Sequence, residues 1–282
     1  MTVAARPATG ADLDAVLDLR QAWEAGVHGG PRTTREVLAA HWPSDGHWAV
    51  DGPGGRLDGY AEVDSGGGFS VWVRPDAPPG EITAALLAAI RSHAPGRLET
   101  VVPLWAGGLA DVLGPLGCHR LRDVLEMRIE VEPRFADPAW PDGVRRRPFV
   151  AERDAADVHA CLVEAFAASD ERVMPYAEWR PWLLGDPSYD PALVFVAESG
   201  GAVAGVAQCW TEGFVKDLAV RPAFRGHGLG ETLLRAAFAE YARRDVREVR
   251  LKVDADNPTG AVRLYRRVGM EELRRHAVYV CG

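Results

Sequence analysis

The stretch VKDLAVRPAFRGHGLGETLLRAAF, from Val215 to Phe238, decides the fold of the second half of this chain. It opens with an apolar run typical of a strand and closes with apolar residues at helical spacing. Between them lie three glycines at alternate positions, Gly226, Gly228 and Gly230. A helix that begins at glycines presents free backbone N–H groups and the positive end of its dipole to any approaching anion. The stretch therefore predicts a strand, an anion-binding turn and a helix.

The glycine spacing argues against two common phosphate-binding motifs. The dinucleotide fingerprint requires a glycine where Glu231 stands, and the P-loop requires a Gly-Lys-Ser/Thr sequence that is absent. A nicotinamide-dependent oxidoreductase would also need Asp254 or Asp256 to bind the ribose, after a turn that comes late in the chain. We therefore do not expect a dinucleotide-binding enzyme.

The two halves of the chain share a weak internal repeat. Both VAARPATGADLDAVLDLRQAW and VRRRPFVAERDAADVHACLVEAF predict a strand, a short loop and an amphipathic helix. The segment EPRFADPAWPDG contains three prolines without periodicity, which is typical of a linker. We expect two tandem α/β (α+β) units, each a mixed twisted sheet flanked by helices, at residues 1–132 and 143–282, joined by a linker at 133–142.

In the second unit the pattern predicts helices and a hairpin around the glycine turn. Gly200 and Gly201 separate two apolar runs, which favours a hairpin. The helices are expected at residues 154–168, 176–184, 230–243 and 258–268.

The glycine turn and a second segment further along the chain together form a recognisable pair of motifs. The turn RGHGLG after DLAV resembles the Arg/Gln-x-x-Gly-x-Gly/Ala motif of the GNAT superfamily of N-acetyltransferases. The segment NPTGAVRLYRRVGM, Asn257 to Met270, is similar to that superfamily's Asn-x-x-Ala-x-x-x-Tyr-x-x-x-Gly-Phe pattern, with the alanine one position late and Met270 in place of phenylalanine. The two motifs follow in the superfamily's order. The resemblance implies acetyl-CoA as co-substrate and no metal.

The resemblance assigns the co-substrate to backbone groups of the turn and of the strand before it. Amides of the turn would hold the pyrophosphate, the strand end would pair with the pantetheine arm, and Asn257 would lie beside that arm. Asn257 before a proline is also typical of a helix cap. The expected acetyl-CoA-binding residues are Leu218, Ala219, Val220, Arg225, Gly226, His227, Gly228, Leu229, Gly230 and Asn257.

Catalysis by this chemistry needs an acid and a base. The resemblance places Tyr265 at the leaving thiolate, where its hydroxyl would supply a proton, although Tyr265 on an amphipathic helix would also suit the core. The attacking amine must lose a proton, and the superfamily's acidic strand positions are Phe214 and Lys252 here. Asp217 and Glu212 remain the candidate bases, with Asp254 less favoured.

The segment DERVMPYAEWRPW corresponds to the region that lines the acceptor site in the superfamily. Tyr176, Trp179 and Trp182 would suit a flat or apolar acceptor, and Glu171 and Glu178 a cationic one. Aromatic residues at helical spacing also fit simple packing. All three aromatic residues are therefore candidate substrate-binding residues, with packing as the alternative.

The first half keeps the strand and helix but loses the turn. Pro78, Pro79 and Gly80 replace the glycine motif, and prolines remove N–H donors, while Leu113 stands near the tyrosine position. We expect a degenerate first unit, and a tandem pair with an active second unit resembles the layout of the mycothiol synthase type within this superfamily. Because Phe214 replaces the acidic residue of that type, mycothiol chemistry in particular is not expected.

Composition limits the partners. The 282 residues carry a net charge of −8, which argues against general nucleic-acid binding. No apolar run reaches the ~18 residues that a membrane span needs. No signal-peptide pattern opens the chain, which predicts a cytoplasmic protein. Four scattered cysteines predict reduced apolar side chains rather than zinc ligands or disulfides. The oligomeric state stays open.

The predicted function is acetyl transfer from acetyl-CoA to a primary amine of a small molecule, by direct attack in a ternary complex in the second unit. The acceptor classes left open are a mycothiol-precursor-like amino-sugar thiol, an aminoglycoside and a protein N-terminus. An acyl-CoA-binding sensor or scaffold without turnover is the alternative from a different class.

Overall fold

The computed structural model describes residues 3–39, 42, 45–106, 108–133, 135–168 and 173–282, without the side chain of His28. It divides into two compact units, unit 1 comprising Met1–Val124 and Arg274–Gly282, and unit 2 comprising Leu125–Leu273. Both units combine a sheet with helices, so the predicted α/β class is confirmed.

Unit 1 is built on an antiparallel sheet of four strands in the order β1-β2-β3-β4. Its strands are β1 Arg6–Pro7, β2 His47–Asp51, β3 Leu57–Val63, β4 Phe69–Val73, β5 Leu98–Pro103 and the first part of β6 Cys118–Glu130; its helices are α1 Leu13–His28, α2 Arg35–Ala39, α3 Pro79–His93 and α4 Leu109–Leu113.

Unit 2 contains the glycine turn and its flanking elements. Its strands are the later part of β6, β7 Val144–Pro148, β8 Tyr189–Ser199, β9 Ala202–Trp210, β10 Phe214–Val220, β11 Glu248–Asp254 and the start of β12 Glu271–Cys281; its helices are α5 Ala151–Phe166, α6 Tyr176–Gly185, α7 Leu229–Arg243 and α8 Ala261–Arg267. The strand order β6-β11-β10-β9-β8-β7 places β10 in the middle of the sheet.

Both faces of the sheet in unit 2 carry apolar clusters. Phe195, Cys209 and Val215 lie in one cluster with residues of α7, and Val196, Val206 and Ala219 lie in another with residues of α5 and α6. Side chains of a strand alternate between faces, so neighbouring residues of β9 and β10 serve different layers. The face that carries α5 and α6 also carries Trp179 and Trp210.

Most of the last strand, from Arg274 onward, belongs to the first unit. In β12, Tyr279 pairs antiparallel with Thr100 of β5, and Ala277, Tyr279 and Cys281 lie in the apolar cluster of unit 1. Conversely, Leu125 and Met127 of β6, from the first half of the sequence, lie in the cluster of unit 2. Each unit is therefore completed by a strand from the other half of the sequence.

This arrangement corrects the prediction for two of the cysteines. Cys118 at the start of β6 and Cys281 at the end of β12 form a disulfide bond, with Cα atoms 4.2 Å apart. Their separation of 163 residues hid this proximity from any argument based on spacing. Cys161 and Cys209 are buried free thiols, as expected.

Two helix starts differ from the sequence prediction. Helix α5 begins at Ala151 rather than at residue 154, since Asp154 accepts the N–H of Val150 from within the first turn. Helix α8 begins at Ala261 rather than at residue 258, because Gly260 takes the left-handed conformation as its N-cap. The hairpin at Gly200 and Gly201 is confirmed, with both residues at positive φ.

Among the described residues, no helix combines the length and the apolar character that crossing a membrane requires. Within the same ranges, no group of three or more His, Cys, Asp or Glu side chains is placed to hold a metal ion.

Candidate active site

Strands β10 and β11 are parallel and separate soon after they start. They pair only at Phe214 with Arg250 and at Val215 with Leu251. On its other side β10 stays paired with β9 as far as Val220. From residue 216 onward, one edge of β10 therefore faces a gap instead of a neighbouring strand. An extended ligand with amide groups can add to such an edge as an extra strand.

The turn after β10 owes its shape to two of its glycines. Gly226 and Gly228 have φ of +82° and +78°, where other residues are strained. No atom lies within 4 Å of the position that a Cβ would occupy on either glycine. Gly226, His227 and Gly228 are exposed, and no hydrogen bond from their N–H groups is found within the described part of the chain. The turn thus offers N–H donors beneath open space at the start of α7, as anion binding requires.

The third glycine and the arginine of the motif serve the structure around the turn. A Cβ on Gly230 would lie 3.1 Å from Cδ2 of Leu264, so this glycine permits the close approach of α8. The guanidinium of Arg225 donates to the carbonyl oxygens of Val220 at 3.1 Å and of Ala165 at 2.8 Å. Arg225 therefore braces the turn against the end of α5.

The second motif lies on α8 and in the loop before it. Tyr265 is 7% exposed and belongs to the apolar cluster on the α7 face of the sheet. The side-chain oxygen of Asn257 accepts the N–H of Thr259 at 3.0 Å and also its hydroxyl. Asn257 thus shapes the loop that leads to α8 rather than capping the helix itself.

Asp217 lies beside a bulge at the point where β10 leaves β11. The register against β9 shifts between Val215 and Asp217, which leaves Lys216 as the extra residue. Asp217 is 7% exposed, and one of its carboxylate oxygens lies 3.1 Å from Nζ of Lys216. Its partner across the strands is Gln208. Asp217 is therefore a buried carboxylate at the opening of the gap.

Gln208 is a polar residue that the sequence analysis did not select. It is fully buried, and neither its side-chain oxygen nor its nitrogen has a hydrogen-bond partner. Leaving a buried amide unpaired costs about 1–3 kcal/mol, so such a group in a native fold needs an explanation. The signal was present, since Gln208 interrupts the otherwise apolar strand AVAGVAQCW.

The other carboxylates considered lie elsewhere. Glu212 is exposed in the turn that connects β9 to β10, at the end of β10 opposite the glycine turn. Asp254 ends β11 and is half-buried, and Lys252 on the same strand is exposed. Of the two candidate bases, Asp217 therefore lies on β10 beside the gap, whereas Glu212 lies in the turn before β10.

The three aromatic candidates of α6 have different surroundings. Trp182 is 39% exposed, its ring lies 5.8 Å from that of Trp210, and Nζ of Lys216 lies 5.7 Å from its centre. Trp179 is 3% exposed and packs in the core, and Tyr176 packs on His159 of α5. Only Trp182 is thus brought next to the Lys216–Asp217 pair.

The acidic candidates of the acceptor region give little additional information. Glu178 is exposed on α6, and Glu171 lies outside the described residues.

Neither free cysteine is suited to carry an acyl group. Burial raises the pKa of the Cys161 thiol to about 11, and burial raises the pKa of Cys209 still further. A thiol that stays protonated is a poor nucleophile.

Unit 1 lacks the corresponding turn. Helix α3 begins at Pro79 with Pro78 as its N-cap, and an isolated parallel bridge joins Gly68, the residue before β4, to Glu99 of β5. Leu113 is fully buried in the cluster of unit 1.

Comparison with known proteins accounts for these features. Residues 155–270 match the acetyltransferase (GNAT) family. A mycothiol acetyltransferase from Geodermatophilus obscurus is 33% identical over 90% of this chain and 83% of its own. A GCN5-related N-acetyltransferase from Sphaerobacter thermophilus superposes with a TM-score of 0.81 and 26% identity, over 99% of this chain and 95% of that one.

The tandem arrangement has a structural counterpart as well. A tandem GNAT protein from the clavulanic acid biosynthesis pathway has the same fold, with a TM-score of 0.70 and 20% identity over 99% of this chain and 98% of its own. The chain is therefore a tandem member of the GNAT family, an acetyl-CoA-dependent N-acetyltransferase.

Proposed function

We propose that unit 2 transfers the acetyl group of acetyl-CoA to a primary amine of a small molecule. The observation that carries this proposal is the separation of β10 from β11 directly before a turn with free N–H groups. The edge at Leu218–Val220 would pair with the pantetheine arm, and the amides of residues 226–230 would bind the pyrophosphate. The carbonyl of Val220 already accepts Arg225, so the remaining groups of this edge would make the contacts.

The proposed reaction assigns the proton of the amine to Asp217. A free alkyl amine has a pKa of roughly 10, so it must lose a proton before it attacks. In this proposal the nitrogen forms a bond to the acetyl carbon as the C–S bond breaks, and the amine proton passes to Asp217 directly or through a water. The unpaired amide of Gln208, across the strands from Asp217, would hold that water or the acceptor amine.

Tyr265 would protonate the departing thiolate. We expect Tyr265→Phe to lower kcat about 10²-fold or more while KM for acetyl-CoA changes little, since acid catalysis typically contributes 10²–10⁴-fold. Tyr279→Phe, which removes the hydroxyl of a buried tyrosine in unit 1, is the matched control. An unchanged kcat in a folded Tyr265→Phe variant would remove Tyr265 from the mechanism.

The two candidate bases are separated by a pH–rate profile. Protonation of a base lowers kcat/KM on the acid side, so Asp217→Asn should lose that limb together with most activity. Glu212→Gln should retain the profile of the parent, because Glu212 is exposed in a turn at the far end of β10. If the acid limb persists unchanged in Asp217→Asn, the base is a different group.

The acceptor we favour is a mycothiol-precursor-like amino-sugar thiol. The relative's name points to this class, and the exposed ring of Trp182 next to the Lys216–Asp217 pair would suit a polar ring that carries an amine. Phe214, which argued against this class, packs in the α5 and α6 cluster, and Asp217 would take the acidic role.

The acceptor is identified by comparing amines of the three open classes. Initial rates would be measured by mass spectrometry of the acetylated product, because a thiol acceptor interferes with assays of released CoA thiol. The panel contains an amino-sugar thiol that is a precursor of mycothiol, an aminoglycoside and a peptide with a free N-terminus. A kcat/KM higher for either of the last two would overturn our choice of acceptor, and CoA binding without any product would favour a sensor.

A further inference from the structure

Unit 1 contains a cavity of about 560 Å³ that shares no residue with the acetyl-transfer site of unit 2. It lies against α1 and α2, at the starts of β2, β4 and β5 and the end of β3. Its charged lining residues are Arg20, Glu62, Asp64 and Glu99, and its aromatic lining residues are Trp42, His47 and Phe69. This cavity is large enough to hold a small metabolite.

Two of the rings that line the cavity, Trp42 and His47, pack on further aromatic rings behind them. The ring of Trp42 lies 5.3 Å from that of His47 and 5.8 Å from that of Tyr60. Tyr60 in turn stacks on Trp72 at 5.5 Å. Packing of each ring on the next fixes the orientation of Trp42, which lines the cavity together with His47. A fixed indole is the best aromatic partner for a cation.

A chain of hydrogen bonds fixes the carboxylate of Glu62 in the same cavity. Nδ1 of His47 bonds to the hydroxyl of Tyr60, and that hydroxyl donates to Oε2 of Glu62 at 3.2 Å. Burial lowers the pKa of His47, which favours the neutral imidazole. The hydroxyl of Tyr60 has one proton and donates it in the hydrogen bond to Glu62, so in its bond with His47 it accepts from Nδ1–H. Glu62 is thus oriented by a neutral donor, the hydroxyl of Tyr60.

The charges around the cavity favour a cationic ligand. Three carboxylates line it, those of Glu62, Asp64 and Glu99, against the guanidinium of Arg20. Glu99 lies 3.4 Å from both Arg97 and Arg122, and one oxygen of Asp64 accepts the N–H groups of Gly66 and Gly68.

Glu62 differs from the other two carboxylates. In the described ranges it forms no ion pair. Arg20, the cation of the cavity, is stacked 4.4 Å above the ring of Trp72 rather than bonded to Glu62. A half-buried carboxylate that lines the same cavity as an indole, and that pairs with no cation among the described residues, is suited to an ammonium group.

The position of the cavity argues against binding of a nucleotide phosphate there. The cavity is at the start of β4, at Phe69, whereas the turn with Pro78 and Pro79 follows the end of that strand. Carboxylates on its walls would repel a phosphate group. Any ligand of this cavity therefore differs in charge from the co-substrate of unit 2.

We propose that this cavity of unit 1 is a second ligand site, which binds a small organic cation with a primary ammonium on a short apolar body. The ammonium would pair with Glu62, and the apolar body would lie on Trp42. This site is independent of the acetyl-transfer function proposed for unit 2.

Calorimetric titration of the full chain with benzylamine, without acetyl-CoA, tests the site. All titrations are made both in the parent and in the Asp217→Asn background, and only binding that is the same in both is assigned to the cavity rather than to the acetyl-transfer site. Benzyl alcohol serves as the neutral ligand of the same shape. Glu62→Gln removes the charge of the cavity, and Glu81→Gln, at an exposed position on α3, removes the same charge outside it.

We expect saturable binding of benzylamine that weakens at least tenfold in Glu62→Gln and stays unchanged in Glu81→Gln, with no measurable binding of benzyl alcohol. Trp42→Leu, which keeps apolar bulk but removes the aromatic face, should weaken binding similarly and decides the matter if Glu62→Gln does not fold. Equal affinity in folded Glu62→Gln, equal affinity for benzyl alcohol, or absence of binding at millimolar benzylamine would overturn the proposal.

Discussion

At the scale of single residues, Gly228 gives the sharpest test of the anion-binding turn. Its φ is +78°, and a Cβ there would meet no atom within 4 Å. Gly29, which ends α1 in unit 1, has the same φ of +78° and equally open surroundings. An alanine at either position therefore introduces similar strain, on the order of 1–2 kcal/mol.

We expect Gly228→Ala to raise KM for acetyl-CoA at least tenfold, because its methyl group enters the space that the pyrophosphate would occupy. Gly29→Ala should lower the melting temperature by a similar amount and leave KM unchanged. Steady-state kinetics and thermal unfolding of both variants check the prediction. Equal KM values in the two variants would show that the turn does not contact the co-substrate.

Sequence and structure differ most at residues whose importance depends on their neighbours. The motif residues Gly226, Gly228 and Tyr265 were accessible from spacing alone, because their chemistry is local to the turn and the helix. Gln208 was missed, since its lack of hydrogen-bond partners is a property of the folded sheet. Trp179 and Trp182 looked equivalent in the sequence, but only the packing of α6 separates a core residue from an exposed one.

At the scale of elements, an ion-pair network fixes the start of α5 to the edge strand β7. Asp154 is 1% exposed at its side chain and pairs with Arg147 and Arg153, each at 2.7 Å. Burial alone would raise the pKa of Asp154, but the hydrogen bonds from Arg153, Arg147 and the N–H of Val150 lower it to about 2. Arg147 also pairs with Glu198 of β8, so the network spans three elements.

The lowered pKa predicts a specific dependence of stability on pH. The stabilisation is complete above the unfolded pKa of 3.8 and is lost as the pH falls towards the folded value of about 2. Asp154→Asn should therefore destabilise the protein by about 2 kcal/mol at pH 7, and the difference from the parent should shrink below pH ~4. Urea unfolding at pH 7, 5 and 3 measures it.

Glu152→Gln is the control for this prediction, because Glu152 is exposed in the same turn of α5. It should change the free energy of unfolding little at any of these pH values. A difference between Asp154→Asn and the parent that stays constant down to pH 3 would show that Asp154 acts by packing rather than by its charge.

Elements were predictable from sequence where periodicity was strong, and their ends were not. Helix α7 was expected within one residue of its observed start, since a glycine turn precedes it and apolar residues repeat along it. The start of α8 was misplaced, because Asn257 and Pro258 resemble a helix start, whereas the side chain of Asn257 bonds to Thr259 in a preceding turn. Capping residues and turn residues have the same composition, so spacing cannot separate them.

At the scale of the whole molecule, the repeat was visible in the sequence but the exchange of strands between its halves was not. Strand periodicity shows that β6 and β12 have buried faces, but it carries no information on which strands they pair with. The exchange also explains the disulfide, because Cys118 and Cys281 come together only when β12 joins unit 1. Two tandem copies with similar last strands are the situation in which either pairing satisfies the pattern.

The exchange predicts that a substitution in β6 or β12 destabilises the unit formed mainly by the other half of the sequence. Tyr279, near the end of the chain, is 8% exposed in the cluster of unit 1, and Met127, from the first half, is fully buried in the cluster of unit 2. Truncation of a buried side chain of either kind to alanine costs about 2–5 kcal/mol. Tyr279→Ala should therefore accelerate hydrogen exchange in β5 and β3 of unit 1, although the residue lies in the second half of the sequence.

Met127→Ala should have the reciprocal effect and accelerate exchange in β11 and α7 of unit 2. Hydrogen exchange with peptide-level mass spectrometry reads both variants in one experiment, and each serves as the control for the other. If each variant instead loosened the half of the sequence in which it lies, β6 and β12 would be paired within their own halves. Because β12 completes the sheet pairing of β5 and part of the apolar cluster of unit 1, the crossed pattern would also mean that unit 1 reaches its full stability only after β12 has joined it.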